Sequence, residues 1–150
     1  PEKDVFNILV GPDGKIFVGT DNKNDMLAIM QAVTDKFGVQ LNGAQLKKFK
    51  EEAMIGAPLA KFGDYLNLPA EKMPEAIQKL GVPTDSIDGG MSEFQEWVKA
   101  ARDNNPDVKI AIKCDATTPY KTVKAVMSEL QDMNENRYQL ITKLKTSSED

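Results

Sequence analysis

The chain of 150 residues contains no histidine and a single cysteine, Cys114. Histidine is the commonest general base and the commonest metal ligand in proteins, so its absence excludes Ser–His and Cys–His catalysis within this chain. One cysteine excludes an internal disulfide, and the cysteine count therefore does not identify the compartment. Cys114 also has no second soft ligand with which to form a zinc site, so we expect no metal and no cofactor.

The chain also lacks long apolar runs and an excess of basic residues. It contains no run of about 18 apolar residues that could span a membrane, and no signal peptide. Because it begins at Pro1 and not at Met, we expect a processed or truncated N-terminus. The formal net charge of −4 argues against nucleic-acid binding, which requires a concentrated basic surface.

Motifs that would carry chemistry are incomplete. The segment "GPDGK" at 11–15 does not have the glycine spacing of a phosphate loop. The segments "DNKND" at 21–25 and "DSIDGG" at 85–90 begin like calcium loops but lack the required ligands, so we interpret them as turns and caps. With 23 Asp and Glu residues, carboxylate catalysis stays open. A glycosidase-type site would also need aromatic side chains that line its cleft, and one Trp and three Tyr are few for this purpose. We predict that the protein is not an enzyme.

The first 38 residues are typical of a β-hairpin followed by a helix. "VFNILV" and "KIFVG" flank the turn "GPDG", and both strands have apolar residues on both faces, which is typical of strands buried on both sides or at an interface. A helix predicted to start at "DNKND" and end before Gly38 has an apolar face of Leu27, Met30, Val33, Thr34 and Phe37.

From about residue 39 to residue 90, short helical segments are separated by glycines and prolines. The segments "NGAQLKKFKEEAM", "PLAKFGDYLN" and "EKMPEAIQKLG" predict three or four short helices. We interpret 39–90 as an all-helical insert between two parts of one discontinuous core, 4–38 and 91–145.

The last sixty residues predict the order helix, strand, helix, strand. Ser92 and Gln95 form a capping box for a helix with an apolar face of Phe94, Trp97, Val98 and Ala101. "VKIAIKC" alternates as a strand with Ile110, Ile112 and Cys114 on one side. We expect Thr118 to cap the next helix, with Pro119 in its first turn and an apolar face of Tyr120, Val123, Met127 and Leu130. Residues 137–144, "RYQLITKL", are the last strand.

This order predicts an α+β fold, a two-layer domain with a mixed β-sheet and helices on one face, plus the all-helical insert. The final strand–helix–strand unit is expected to be a right-handed crossover that joins parallel strands.

The C-terminal unit contains "VKIAIKCD", "ATTPY", "KTVKAVMSELQ" and "RYQLITKL" in this order. With this set of motifs it resembles the periplasmic domain of ExbD/TolR biopolymer transport proteins, and the hairpin "VFNILVGPDGKIFV" is similar to the opening strands of the family. "EFQEWVKAARDNNPD" together with a long insert is similar to ExbD-like proteins of Bacteroidetes-type bacteria. Two departures are Cys114, where a small residue is usual, and the insert, whose role the resemblance does not supply.

The resemblance implies that the protein works through contacts with partner proteins. Members of the family are inner-membrane proteins with one transmembrane helix, here expected before Pro1, and a periplasmic domain. With an ExbB/TolQ-type channel subunit, they couple the proton motive force to a TonB- or TolA-type partner. The chain would then be the periplasmic output domain of a TonB-type system for energised outer-membrane transport, with homodimerisation expected.

A terminal strand at a sheet edge can accept a partner strand, so we expect a dimer or partner surface near residues 137–144. The candidate residues are Arg137, Gln139, Ile141 and Lys143, with Pro119 and Tyr120. The alternative at 137–144 is an edge protected by Arg137, Lys143 and Lys145. For "TTPY" we favour a helix cap with Tyr120 packed inward; the alternative is a surface loop that touches a partner. For Asp115 we favour a cap or turn acceptor, and the alternative is a proton carrier.

Three other readings stay open. They are a Tol-like envelope-integrity component, a free-standing soluble α+β binding or regulatory domain, and a small carboxylate-based enzyme. The insert could bind peptidoglycan, a partner or nothing, and the sequence does not identify the transported cargo.

Overall fold

The structure, a computed structural model, describes residues 4–52 and 54–143. Along these ranges the chain forms four strands, six α-helices and one 3-10 turn at Ala70–Lys72. The strands are β1 (Val5–Val10), β2 (Ile16–Gly19), β3 (Lys109–Asp115) and β4 (Tyr138–Lys143). The helices are α1 (Lys23–Lys36), α2 (Gly43–Glu52), α3 (Leu59–Leu66), α4 (Met73–Ile77), α5 (Glu93–Asn104) and α6 (Tyr120–Asp132).

The four strands form one mixed sheet in the order β2-β1-β3-β4. β1 and β2 pair antiparallel, and the turn between them is closed by a 2.9 Å hydrogen bond from Gly14 N to Gly11 O. Gly14 has a φ of +89°, which a residue without Cβ adopts at little cost. β1 pairs parallel with β3, and β3 pairs parallel with β4 across the helix α6. The predicted mixed sheet and the parallel pairing of the last two strands are confirmed.

One face of the sheet carries the helices, which confirms the predicted two-layer α+β fold. Phe6, Ile8 and Val10 of β1 and Ile110 and Ile112 of β3 are buried on this face. They belong to a hydrophobic cluster that includes apolar residues from helices α1, α5 and α6, among them Met30, Val33, Trp97, Val98, Val123 and Leu130. Trp97, predicted to be a core residue, is fully buried.

The predicted starts of the first and fifth helices are confirmed. Asn22 caps α1, because its side-chain oxygen accepts hydrogen bonds from Asn24 N at 2.9 Å and Asp25 N at 3.1 Å. Ser92 and Gln95 form both bonds of the capping box that starts α5. Each cap satisfies amide groups that the first turn of a helix leaves without a partner.

The predicted start of α6 is wrong. Thr118 does not cap the helix; Pro119 is the N-cap residue, without a side-chain cap bond, and the helix begins one residue later, at Tyr120. Thr118 N instead donates a 2.9 Å hydrogen bond to Asp115 O, which closes a turn directly after β3. Because this turn fixes the backbone of Thr118, the chain reaches the helix through the extended conformation of Pro119.

The short helices of the 39–90 segment pack into the same hydrophobic cluster as the sheet. Phe62 of α3 is fully buried, with ring centroids 6.0 Å from Phe49 and 6.2 Å from Trp97. The carboxylate of Glu93 accepts a 2.9 Å hydrogen bond from Leu59 N, and this caps the start of α3 from the neighbouring helix α5. These contacts join the segment to the rest of the domain.

Candidate interaction surface

β4 forms one edge of the sheet, because β3 is its only strand neighbour in the described part of the chain. Within residues 4–52 and 54–143, no backbone group from outside the sheet hydrogen-bonds to it. A strand edge without partners presents a row of amide and carbonyl groups that can pair with another extended chain. Among the described residues, the sheet therefore has a free pairing edge along β4.

The side chains of β4 are more exposed than those of the inner strands. By register, Tyr138, Leu140 and Thr142 lie opposite Ile110, Ile112 and Cys114, on the helix-bearing face. Tyr138 packs partly against the core, whereas 44% of Leu140 is exposed. Leu140 therefore places an exposed apolar side chain beside this edge.

Of the candidate residues, Gln139 and Ile141 alternate with these and lie on the second face of the sheet. Gln139 is exposed and Ile141 is half-buried; the side chain of Lys143 lies outside the described residues, although its backbone pairs with Asp115. Lys145, named in the alternative of a protected edge, also lies outside the described residues.

The opposite edge of the sheet, β2, is not free. Val18 N donates to Ile55 O at 2.8 Å, and Ile55 N donates to Val18 O at 3.1 Å. Val82 N donates to Ile16 O at 2.9 Å. We name residues 54–56 and 81–82 the edge cap, because these parts of the insert segment occupy the outer side of β2. The edge cap was not predicted, since neither part has the alternation of a strand.

At the N-terminal end of β4, the exposed Arg137 lines a cavity of about 520 Å³ together with Arg102 and Lys109. Arg102 is held in place by a two-point ion pair with Glu135, with Nε to Oε2 at 3.0 Å and Nη2 to Oε1 at 2.8 Å. Its Nη1 also donates to Pro106 O at 2.7 Å and to Val108 O at 2.8 Å. The hydrogen bond to Glu135 raises the pKa of Arg102, so the guanidinium stays charged.

At the C-terminal end of β3, the structure corrects the expectation for Tyr120. The side chain is 67% exposed and does not pack inward, because Tyr120 is the first residue of α6 and precedes the buried stripe Val123, Val126 and Leu130. The turn after β3 uses the backbone carbonyl of Asp115 and not its carboxylate, which was the expected acceptor. Within the described residues, its buried Oδ1 atom and Oγ1 of Thr118 have no hydrogen-bond partner.

The six candidate residues therefore do not form one cluster. Because β3 and β4 are parallel, Arg137 lies at the N-terminal end of β4, whereas Pro119 and Tyr120 follow the turn at the C-terminal end of β3. Six strand residues span about 20 Å, so these positions are at opposite ends of the β3–β4 pair. The exposed Leu140 was missed, because strand alternation assigns it to the core face and does not show that an edge position there is poorly covered.

Within the described ranges, no group of three or more Cys, Asp or Glu side chains could hold a metal ion. Cys114 is half-buried, with its Sγ atom 3.9 Å from Oγ1 of Thr142 on β4. None of the helices in these ranges has both the length and the apolar character needed to cross a bilayer.

The family model described as "Biopolymer transport protein ExbD/TolR" matches residues 1–145. No curated protein matches the sequence, and no solved structure matches the chain.

Proposed function

Since the chain belongs to the ExbD/TolR family of biopolymer transport proteins, we propose that it is the periplasmic output domain of an inner-membrane energy-coupling complex. Proteins of this family are associated with membranes and take part in transport. In the proposed complex, an ExbB-type channel subunit uses the proton motive force to move this domain, and the domain passes the motion to a TonB-type partner. The protein has no reaction of its own in this function.

The observation that carries the proposal is the free edge along β4. A contact that resists pulling can transmit motion between proteins. Backbone pairing with a strand is such a contact, because it forms a row of several hydrogen bonds along that strand. The exposed Leu140 adds an apolar contact next to that row. We propose that β4 receives an extended strand, from a second copy of the chain or from the TonB-type partner.

Site-specific crosslinking in the assembled membrane complex tests this function. The full-length protein with Cys114→Ser receives a single cysteine at Gln139 or at Lys143, both on β4. We expect disulfide or short-linker products with a second copy or with the partner. Lys79→Cys is the matched control, because Lys79 is exposed and lies after α4, away from the β4 edge. Crosslinks of equal yield at Lys79 and Gln139, or none at either β4 position, would overturn the proposal.

The family description covers both ExbD and TolR. A Tol-like complex would use the same edge with a TolA-type partner for envelope integrity. Copurification of the full-length protein with its membrane partners distinguishes the two, because a TonB-type and a TolA-type partner are different proteins that mass spectrometry identifies directly.

A further inference from the structure

We propose that the edge cap is a built-in substitute for a neighbouring strand, which prevents a second copy of the chain from pairing with β2 and leaves β4 as the pairing edge. This inference concerns the edge opposite to the one used in the proposed function. It is tested on the purified chain without any membrane partner, so the two can fail separately.

The hydrogen bonds of the edge cap match the outward groups of β2. In an antiparallel pair, alternate residues direct their amide and carbonyl groups towards the partner strand and away from it. Ile16 and Val18 are the residues of β2 that direct these groups outward, because their bonds run to Val82 and Ile55 and not to β1. The cap therefore uses Val18 N, Val18 O and Ile16 O, the groups that a second copy would need.

The backbone of the cap at Gly56 packs closely against the side chains of Phe17 and Ile77. A Cβ atom on Gly56 would lie 2.4 Å from Cδ1 of Phe17 in β2 and 2.8 Å from Cγ1 of Ile77, so a side chain there does not fit. Gly81 has a φ of +85°, and its amide donates a hydrogen bond to Gly56 O at 2.6 Å. The two parts of the cap are thus tied to each other as well as to the strand.

A sheet with two free edges can add copies at both sides and grow without limit. A sheet with one free edge stops at a closed pair, because the second copy covers the first and presents its own capped edge outward. The cap thus sets an upper limit of two copies for strand pairing by this domain.

The test compares the molar mass in solution of Cys114→Ser protein and of the same protein with Gly56→Val, by light scattering over a range of concentrations. Gly56→Val should displace the cap, and we expect species larger than those of the parent, growing with concentration. At concentrations low enough that the copies do not associate, amide exchange should be roughly tenfold faster at Val18 and Val82, because the bonds of the cap are opened locally. Leu140→Lys, added to Gly56→Val, places a charge beside the β4 edge. The double variant should therefore form only dimers in which the β2 edges of two copies pair.

The control is Gly43→Val, because no atom lies within 4 Å of a Cβ built on Gly43; mass and exchange should equal those of the parent. Faster exchange at Val18 without any increase in mass would overturn the inference. If Gly56→Val exchanges like the parent or does not fold, Ile55→Pro removes the amide donor to Val18 O and is judged by the same criteria. The parent protein gives a further check that needs no variant: a Val18 amide that exchanges as fast as an unprotected one would also refute the cap.

Discussion

Replacing Phe62 by alanine should destabilise the whole domain and not the 39–90 segment alone. Phe62 is fully buried between Phe49 and Trp97, where it joins α3 to α5. Truncating a buried phenylalanine costs about 3–5 kcal/mol, from the lost burial and the cavity that remains. If the free energy of unfolding decreases by about 2 kcal/mol per molar of urea, the urea concentration at the midpoint of unfolding should fall by about 1.5–2.5 M.

Two probes measure this loss in different parts of the molecule. Fluorescence of Trp97 follows the junction between α3 and α5, and amide exchange at Ile112 reports opening of the central sheet. If the segment and the sheet share one cooperative core, both free energies of unfolding should decrease by the same amount. An unchanged exchange free energy at Ile112, together with a lowered fluorescence midpoint, would refute the shared core and show that the segment unfolds independently.

Phe37→Ala is the matched control for Phe62→Ala. Phe37 is half-buried at the end of α1, with the ammonium of Lys36 5.8 Å from the centre of its ring. Its truncation should cost about 1 kcal/mol, because less apolar surface is lost.

Three further substitutions test particular contacts through chemical denaturation. Arg102→Lys should cost about 2–3 kcal/mol, because lysine cannot reproduce the two-point pair with Glu135 and the bonds to two carbonyl groups; an unchanged midpoint would contradict this. Ser92→Ala should cost about 1–3 kcal/mol, since it removes the cap of α5 and the 2.6 Å hydrogen bond to Glu129, and a loss under about 0.5 kcal/mol would argue against both bonds. Tyr120→Ser should change stability by less than about 0.5 kcal/mol because the side chain is exposed, and a larger loss would restore the inward packing that the structure excludes.

Local patterns predicted most of the elements correctly. The hairpin, the capping box at Ser92 and the alternation around Ile112 depend on residues a few positions apart, so the sequence shows them directly. The start of α6 was predicted wrongly because a turn follows β3, in which Thr118 N donates to Asp115 O, and the position of this turn depends on where β3 ends. Residue propensity alone does not determine where a strand ends.

The prediction of an edge strand near the end of the chain is confirmed, whereas its use as an interaction surface stays a prediction. The position of 137–144 at the chain end indicated an edge strand, and β4 is one. The exposure of Leu140 and the edge cap on β2 depend on contacts between segments far apart in sequence, such as Val18 with Ile55. These contacts follow from tertiary packing, which no short pattern encodes.

The place of β1 inside the sheet determines how the domain responds to a mechanical load. β1 is the first strand of the chain, yet it lies between β2 and β3. A pull on the chain before Val5, opposed by a grip on β4, would act along the strands, because β1, β3 and β4 are parallel. The hydrogen bonds between β1 and β3 and between β3 and β4 would then be loaded in shear and not opened one after another. A tether attached before Val5 would therefore load the sheet along its strands, the direction in which it resists force best.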